Sequence, residues 1–326
     1  MAIENIIELE NIVKTYKIKE GFRKFKPFNA IDGVSLNIEK GEIFGLLGTN
    51  GAGKTTLIKI MAGLLEADKG SGKVLGYDIY ENHKKIRSNV SLVAPTADVG
   101  TDNNLTVKQN LEFWAVVYNL PKEKREERID YLLTFLGLKE YENFWPMSIS
   151  AGMRQKLAIA RSLLVQNPIL FLDEPTVKLD AKGAESIRKF IKKINVEFNT
   201  TIILTTHYIF EAEELCSRVA IMNKGKIRSC DTINNLRNNL EKYDSFTIKC
   251  ETLKAKTIER LKLEENIIEC NFKNNELKII TDKLEKTIDL TTRALRKENI
   301  QIESINTTEY SLEDIFIKVT TEEEKI

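Results

Sequence analysis

Apolar and polar positions change period several times along this chain, and the changes divide it. Ile6 to Val13 alternates loosely and predicts a strand that ends at Lys14, Thr15 and Tyr16. Ala30 to Ile38 alternates again. Glu39-Lys40-Gly41-Glu42 reads as a turn into an unbroken apolar run, Ile43 to Leu47, the mark of a buried strand. A helical pattern follows from Lys54 to about Ala62, with Gly63 as its stop. Asp68-Lys69-Gly70-Ser71-Gly72 has the composition of a turn, with extended chain from Lys73 to Leu75, and Val90 to Ala94 predicts another strand.

The period then becomes helical. Thr106 to Asn119 carries Leu111, Phe113, Trp114, Val117 and Tyr118 at helical spacing, and Phe113, Trp114, Val117 and Tyr118 read as the insert's own packing core. Pro121 opens a second helix, charged on one side through Leu136 and stopped by Gly137. A third opens at Ser150 and runs to about Val165, so about residues 102–165 form an all-helical insert.

Alternation resumes with strand Ile169 to Leu172, helix Ala181 to Phe198, strand Thr201 to Thr206, helix Phe210 to Leu215, and strands Arg218 to Met222 and Lys226 to Arg228. Such alternation implies an α/β fold around a mostly parallel, covered sheet, with an antiparallel N-terminal β region. From Asp244 the pattern is Ser245 to Cys250 (strand), Leu253 to Leu261 (helix), Ile267 to Phe272 and Leu277 to Thr281 (a strand pair around Asn274-Asn275), Leu284 to Glu298 (helix) and Ile300 to Asn306 (strand). This βαββαβ order predicts a small ferredoxin-like α+β domain. The expected boundaries are 1–240, 244–320 and an acidic, frayed tail over 321–326.

Composition narrows the function. The length of 326 residues suits about two domains, and 42% hydrophobic residues supply a core. Lys plus Arg (49) nearly cancels Asp plus Glu (48), which gives no electrostatic reason to expect nucleic acid or an anionic membrane surface as the main partner. The basic, aromatic stretch Lys17 to Phe28, with Phe22, Arg23, Lys24, Phe25, Lys26 and Pro27, is short and local. It reads as a hairpin tip or partner-contact loop rather than a nucleic-acid patch. Cys216, Cys230, Cys250 and Cys270 are widely spaced and read as free thiols in a reducing compartment rather than a metal site. Glu4 and Glu8 stand where a signal peptide would be basic, and no apolar stretch approaches the roughly 20 residues of a membrane span. A membrane role would need another polypeptide for the membrane part.

Gly48-Thr49-Asn50-Gly51-Ala52-Gly53-Lys54-Thr55-Thr56 fits G-x-x-x-x-G-K-[ST] between a strand and a helix. A polyphosphate needs inward-pointing backbone N–H groups, and glycine lets the main chain approach closely enough to supply them. Lys54 would reach the β and γ phosphates, and the Thr55 hydroxyl would ligate Mg²⁺. Asp173 ends the buried strand Ile169 to Leu172 and can hold Mg²⁺ directly or through water, while Glu174 can polarise an attacking water. His207, one of two histidines, ends another strand at the edge where parallel sheets bind ligands and is read as a γ-phosphate contact. Ser150-Ala151-Gly152-Met153 opens a helix whose free N–H groups form a second anion site. Its place on a separate insert suggests a nucleotide shared between two copies of the chain.

Together these motifs resemble the ATP-binding subunit of an ATP-binding cassette (ABC) transporter over about residues 3–235, most of all the exporter-type systems whose membrane domain is a separate polypeptide. The resemblance implies that Tyr16 stacks on adenine, that Gly48 to Thr56 is the Walker A loop, and that Ile149 to Met153, with Ser150 and Gly152, is the signature motif. Asp173 and Glu174 become the Walker B acid and catalytic base, Leu179-Asp180 part of the D-loop, and His207 the switch histidine. ATP, Mg²⁺, a membrane-spanning permease and a homodimer or heterodimer of ATP-binding subunits on the cytoplasmic face are the implied partners. The C-terminal domain, with Ser311-Leu312-Glu313-Asp314-Ile315-Phe316, looks like an accessory domain of such exporters. Three positions depart from the pattern: Ala151 and Lys178 replace usual glycines, and no glutamine follows Val90 to Ala94 before Gln109, so the Q-loop role is altered and neither Thr96 nor Asp98 is assigned to it. The alternatives are a soluble cassette ATPase of translation or DNA repair, and a ligand-sensing module with a slow ATPase. The first usually has two cassettes or a long coiled coil, and here Lys54 and Ser150 lie close in one cassette.

Overall fold

The computed structural model describes residues 4–20, 24–95, 99–238, 244–251 and 253–308. They fall in two compact units, 1–232 and 233–326. The first contains β1 (Asn5–Glu20), β2 (Lys24–Glu39), β3 (Ile43–Gly48), α1 (Lys54–Met61), β4 (Lys69–Val74), β5 (Tyr77–Asp78), α2 (His83–Ser88), β6 (Val90–Val93), α3 (Val107–Val117), α4 (Lys122–Phe135), α5 (Ala151–Leu163), β7 (Ile169–Asp173), α6 (Ala181–Phe198), β8 (Thr201–Thr206), α7 (Ile209–Leu215), β9 (Arg218–Asn223) and β10 (Lys226–Thr232).

Every residue of β3, β7 and β8 is buried, as befits strands covered on both faces. They belong to a six-stranded sheet, β10-β9-β3-β8-β7-β6, parallel except for β10. An antiparallel sheet, β2-β1-β4-β5, lies on the same core. Leu57, Ile58, Ile60 and Met61 of α1 pack there with Ile7, Ile31, Phe44 and Phe171. Each such side chain contributes roughly 1.5–3 kcal/mol through burial. The registers Leu47↔Thr206 and Asp173↔Thr205 bring the ends of β3, β7 and β8 level. The phosphate-loop motif, Asp173-Glu174 and His207 therefore leave the sheet at one edge, where open α/β sheets bind ligands.

Several elements differ from the sequence reading. The expected turn Asp68 to Gly72 is mostly β4, paired with β1 through Leu9↔Gly72 and Val13↔Lys69. Gly70 makes this possible: a Cβ there would stand 2.6 Å from the carbonyl oxygens of Glu10 and Asn11, so only glycine lets the strands come this close. The first strand does not end at Tyr16. It pairs on with β2 through Tyr16↔Phe28, Lys17↔Pro27, Ile18↔Lys26 and Lys19↔Phe25, with Pro27 on an edge strand that tolerates it. Phe22 and Arg23 lie outside the described residues. Helix α2 gives little periodic signal, since Ile86 is its single buried residue.

The insert holds α3, α4 and α5. A capping box starts α3, with Thr106 and Gln109 each serving the other's backbone. Its core face is Val107, Asn110, Leu111 and Ala115. Phe113, Val117 and Tyr118, expected as that core, are instead 51%, 48% and 36% exposed. Trp114 edges the same surface, donating from Nε1 to the Gly100 carbonyl at 2.7 Å and stacking under Arg161.

The second unit contains α8 (Ile233–Asn238), β11 (Asp244–Cys250), α9 (Ala255–Lys262), β12 (Ile267–Lys273), β13 (Glu276–Thr281), α10 (Leu284–Lys297) and β14 (Ile302–Thr308). Its antiparallel sheet runs β12-β13-β11-β14, the ferredoxin-like order, over a core that includes Phe246, Ile248, Leu277, Ile279 and Leu295. Asn274 and Asn275, both at positive φ, turn the β12–β13 hairpin. Ser311 to Phe316 and the tail lie outside the described residues.

Candidate active site

Strand β3 ends at Gly48, and the chain turns through Thr49, Asn50, Gly51, Ala52 and Gly53 into α1. Gly53, at φ +104°, is the N-cap; a Cβ on it would stand 2.4 Å from the Ala30 carbonyl oxygen of β2. Gly225 closes the same contact by donating its N–H to the Ala52 carbonyl at 3.0 Å. The N–H groups of the first turn of α1, Lys54, Thr55 and Thr56, thus start a helix with no capping side chain, an arrangement that favours an anion.

Lys54 is 5% exposed and donates from Nζ to the Gly48 carbonyl at 2.7 Å and the Thr49 carbonyl at 3.1 Å. Burial lowers its pKa, against the carboxylates of Glu174 and Asp173, which raise it. Thr55 Oγ1 donates to Asp173 Oδ2 at 2.9 Å, and Thr205 donates to Oδ1. A hydroxyl and a carboxylate meeting at the phosphate loop are the hard oxygen donors that Mg²⁺ takes, so these residues fit that ion.

Glu174 has φ +48°, a left-handed backbone that costs a non-glycine residue about 1–2 kcal/mol. Its N–H is fixed by Thr205 Oγ1 at 2.9 Å. Glu174 Oε1 lies 3.3 Å from His207 Nδ1 and 3.7 Å from Lys54 Nζ. Gly48, Thr49, Lys54, Thr55, Asp173, Glu174 and His207 therefore form one contact network. Thr205, absent from the sequence reading, completes it; in a β-branched run its hydroxyl carries no signal beyond strand propensity.

A second cluster surrounds Gly183. Ser150 caps α5 by accepting the Met153 N–H at 3.2 Å, and Asp180 caps α6 by accepting the Gly183 N–H at 2.7 Å. A Cβ at Gly152 would stand 3.4 Å from Gly183 Cα, so the two helix starts touch. Ala151 simply opens α5. Lys178, exposed, stands at φ +63°, a backbone conformation that glycine adopts without strain. Tyr16 is 40% exposed on the strand beside β2, whose Ala30 abuts Gly53. Gln109 is occupied in the cap of α3, while Thr96 and Asp98 lie outside the described residues. Among the described residues no group of three or more His, Cys, Asp or Glu is placed to hold a metal ion, and no helix is long and apolar enough to cross a membrane.

A phosphate loop, an adjoining Asp-Glu pair and a histidine at one sheet edge, with a helical insert carrying a second helix-start cluster, define an ATP-binding cassette. Residues 31–177 match the family model described as ABC transporter. The chain is 39% identical over 221 residues to the probable multidrug ABC transporter ATP-binding protein YbhF of Escherichia coli, covering 67% of this chain and 37% of YbhF. It is 34% identical to the methionine import ATP-binding protein MetN 2 of Bacillus cereus, covering 68% of this chain and 65% of MetN 2. The chain thus spans less than two thirds of the length of both. The daunorubicin resistance ATP-binding protein DrrA2 of Streptomyces coeruleorubidus is 29% identical and covers 91% of this chain and 92% of its own. The dimeric, post-hydrolysis cassette MJ0796 bound to ADP and Pi superposes with a TM-score of 0.60 at 28% identity, covering 69% of this chain and 98% of that one. The chain belongs to the ABC transporter family and is similar to its ATP-binding subunits.

Proposed function

We propose that the chain hydrolyses ATP to drive export through a separate membrane-spanning partner, two ATP-binding subunits acting as a pair at the cytoplasmic face. The observation that carries the hydrolytic reading is the approach of Glu174 Oε1 to both Lys54 Nζ and His207 Nδ1 beside the phosphate loop. The loop N–H groups and Lys54 would hold the β and γ phosphates, with Tyr16 against adenine. Thr55 and Asp173 would hold Mg²⁺, which when bound neutralises phosphate charge. Glu174 accepts the proton of the attacking water as its oxygen bonds to the γ phosphorus and the bond to the bridging oxygen breaks, giving ADP and phosphate; such a base is worth roughly 10²–10⁴ in rate. His207 and Lys54 stabilise the charge on the transferring group. Ser150, Gly152 and Asp180 of one subunit would close over the nucleotide held by the other.

Support for export comes from extent. Likeness to DrrA2 continues through the ferredoxin-like unit, whereas the match to MetN 2 spans 226 residues. The exposed Phe113, Val116, Val117 and Tyr118 supply an apolar surface on the insert for the membrane partner. The test is the mass of Glu174→Gln by light scattering with and without Mg-ATP. An ATP-dependent dimer is expected; a persistent monomer would overturn pairing of identical chains and assign the second half-site to a different subunit.

A further inference from the structure

Glu211, on the first turn of α7 and four residues beyond His207, is 2% exposed, yet the hydrolytic scheme above gives it no task. Its Oε1 accepts the Thr176 hydroxyl at 2.8 Å. Thr176 is itself buried, two residues beyond Glu174, and its carbonyl accepts the Leu179 N–H at 3.2 Å, which begins the turn to Asp180. On the other side, the Thr206 hydroxyl accepts the Tyr208 N–H at 3.0 Å and lies near the same carboxyl, so the residues on either side of His207 are joined to each other. The Glu211 N–H also donates to the Tyr208 carbonyl at 3.1 Å. Arg188, the nearby cation, is paired with Glu214.

The other oxygen, Oε2, is buried and takes no hydrogen bond among the described residues. Burial pushes the carboxyl pKa up, against the two hydroxyls and Arg188, which lower it. An acidic group so placed is expensive, and packing alone would be better served by an apolar side chain. What the side-chain oxygen provides, and an apolar side chain could not, is a junction between two segments that sequence keeps apart.

We propose that Glu211 is a positioning residue for ATP hydrolysis, joining the Glu174–Asp180 segment to the His207 segment so that Glu174 and His207 keep their mutual approach. It rests on the reading of Glu174 and His207 as the catalytic pair. A displacement of the Leu179–Asp180 turn, the part that would face the second subunit, is then felt at His207 through Thr176 and this carboxyl.

Steady-state ATP hydrolysis by the purified full-length chain tests it, with Glu211→Ala, Glu211→Gln and Thr176→Val. Losing the buried hydrogen bond should lower kcat about ten-fold or more in Glu211→Ala and Thr176→Val, with KM for ATP within about two-fold. The double variant Glu211→Ala/Thr176→Val should be no worse than either single change, because both remove one link. Glu211→Gln keeps an acceptor for Thr176 and should restore kcat to within about three-fold of the parent. Unchanged kcat in both single variants, KM rising in step with the lost kcat, multiplying losses in the double variant, or no rescue by glutamine would each overturn the proposal. If Glu211→Ala does not fold, Thr176→Val and Glu211→Gln decide it by the same measurements. A Glu174→Gln variant run alongside separates the cases: normal hydrolysis there would sink the catalytic assignment itself, whatever Glu211 does.

Discussion

Two segments at the same sheet edge use left-handed backbone for opposite purposes. In the phosphate loop the positive φ values fall on Gly51 (+81°) and Gly53 (+104°); in the turn after β7 they fall on Glu174 (+48°) and Lys178 (+63°). The loop works with its main chain, so a side chain would stand between N–H groups and phosphate. The turn works with a carboxylate, so the strain is carried by the residue that must be aimed, held in place by Thr205. A glycine at 174 would relax the backbone and delete the chemistry.

The sharpest break of this contrast is Gly53→Ala. Its Cβ would meet the Ala30 oxygen at 2.4 Å, and we expect nucleotide binding to weaken by about a hundred-fold or more, measured by calorimetric titration. Gly51→Ala has the same backbone sign but no atom within 4 Å of its Cβ. It should cost only about 1–2 kcal/mol of conformational strain in urea unfolding of the first unit. Equal unfolding losses at the two positions would dissolve the distinction between close approach and conformation. Lys178→Gly should raise stability by about 1 kcal/mol, read from the unfolding midpoint, since the exposed lysine occupies a glycine conformation. A fall instead would show that the lysine side chain contributes.

Asp68, outside both segments, sets the floor. It accepts from Lys14 Nζ and the Thr15 N–H, each at 2.7 Å, and the Lys14 bond, then the Thr15 bond, holds its pKa down. A depressed carboxylate stabilises above its unfolded pKa and loses that contribution as pH falls through the folded value. Asp68→Asn should therefore cost under about 1 kcal/mol at neutral pH, a cost that fades below about pH 4 in a pH series of unfolding midpoints.

Much of the frame was legible where apolar period and punctuation agree: α6 and β8 run over Ala181–Phe198 and Thr201–Thr206 as the pattern indicates. Legibility failed where tertiary contact overrides composition. Lys69 to Gly72 looks like a turn because glycine has two uses, and proximity of β1 decides for the strand. On α3 both faces carry apolar residues, and the weight of Phe113 and Tyr118 points to the wrong one, since the smaller Val107, Leu111 and Ala115 fill the core. Glu211 gave no sign at all. A glutamate in the first turn of a helix is ordinary, and only folding brings Thr176 to it.

The register Asp173↔Thr205 has a consequence for how the gene can vary. Glu174 and His207 meet because they lie one and two residues past that pair on adjacent strands, so the chain cannot gain or lose a residue in either strand without parting them. Insertions and deletions that preserve activity should concentrate instead in exposed turns such as Asn119 to Lys122, between α3 and α4, where spare length can bulge into solvent.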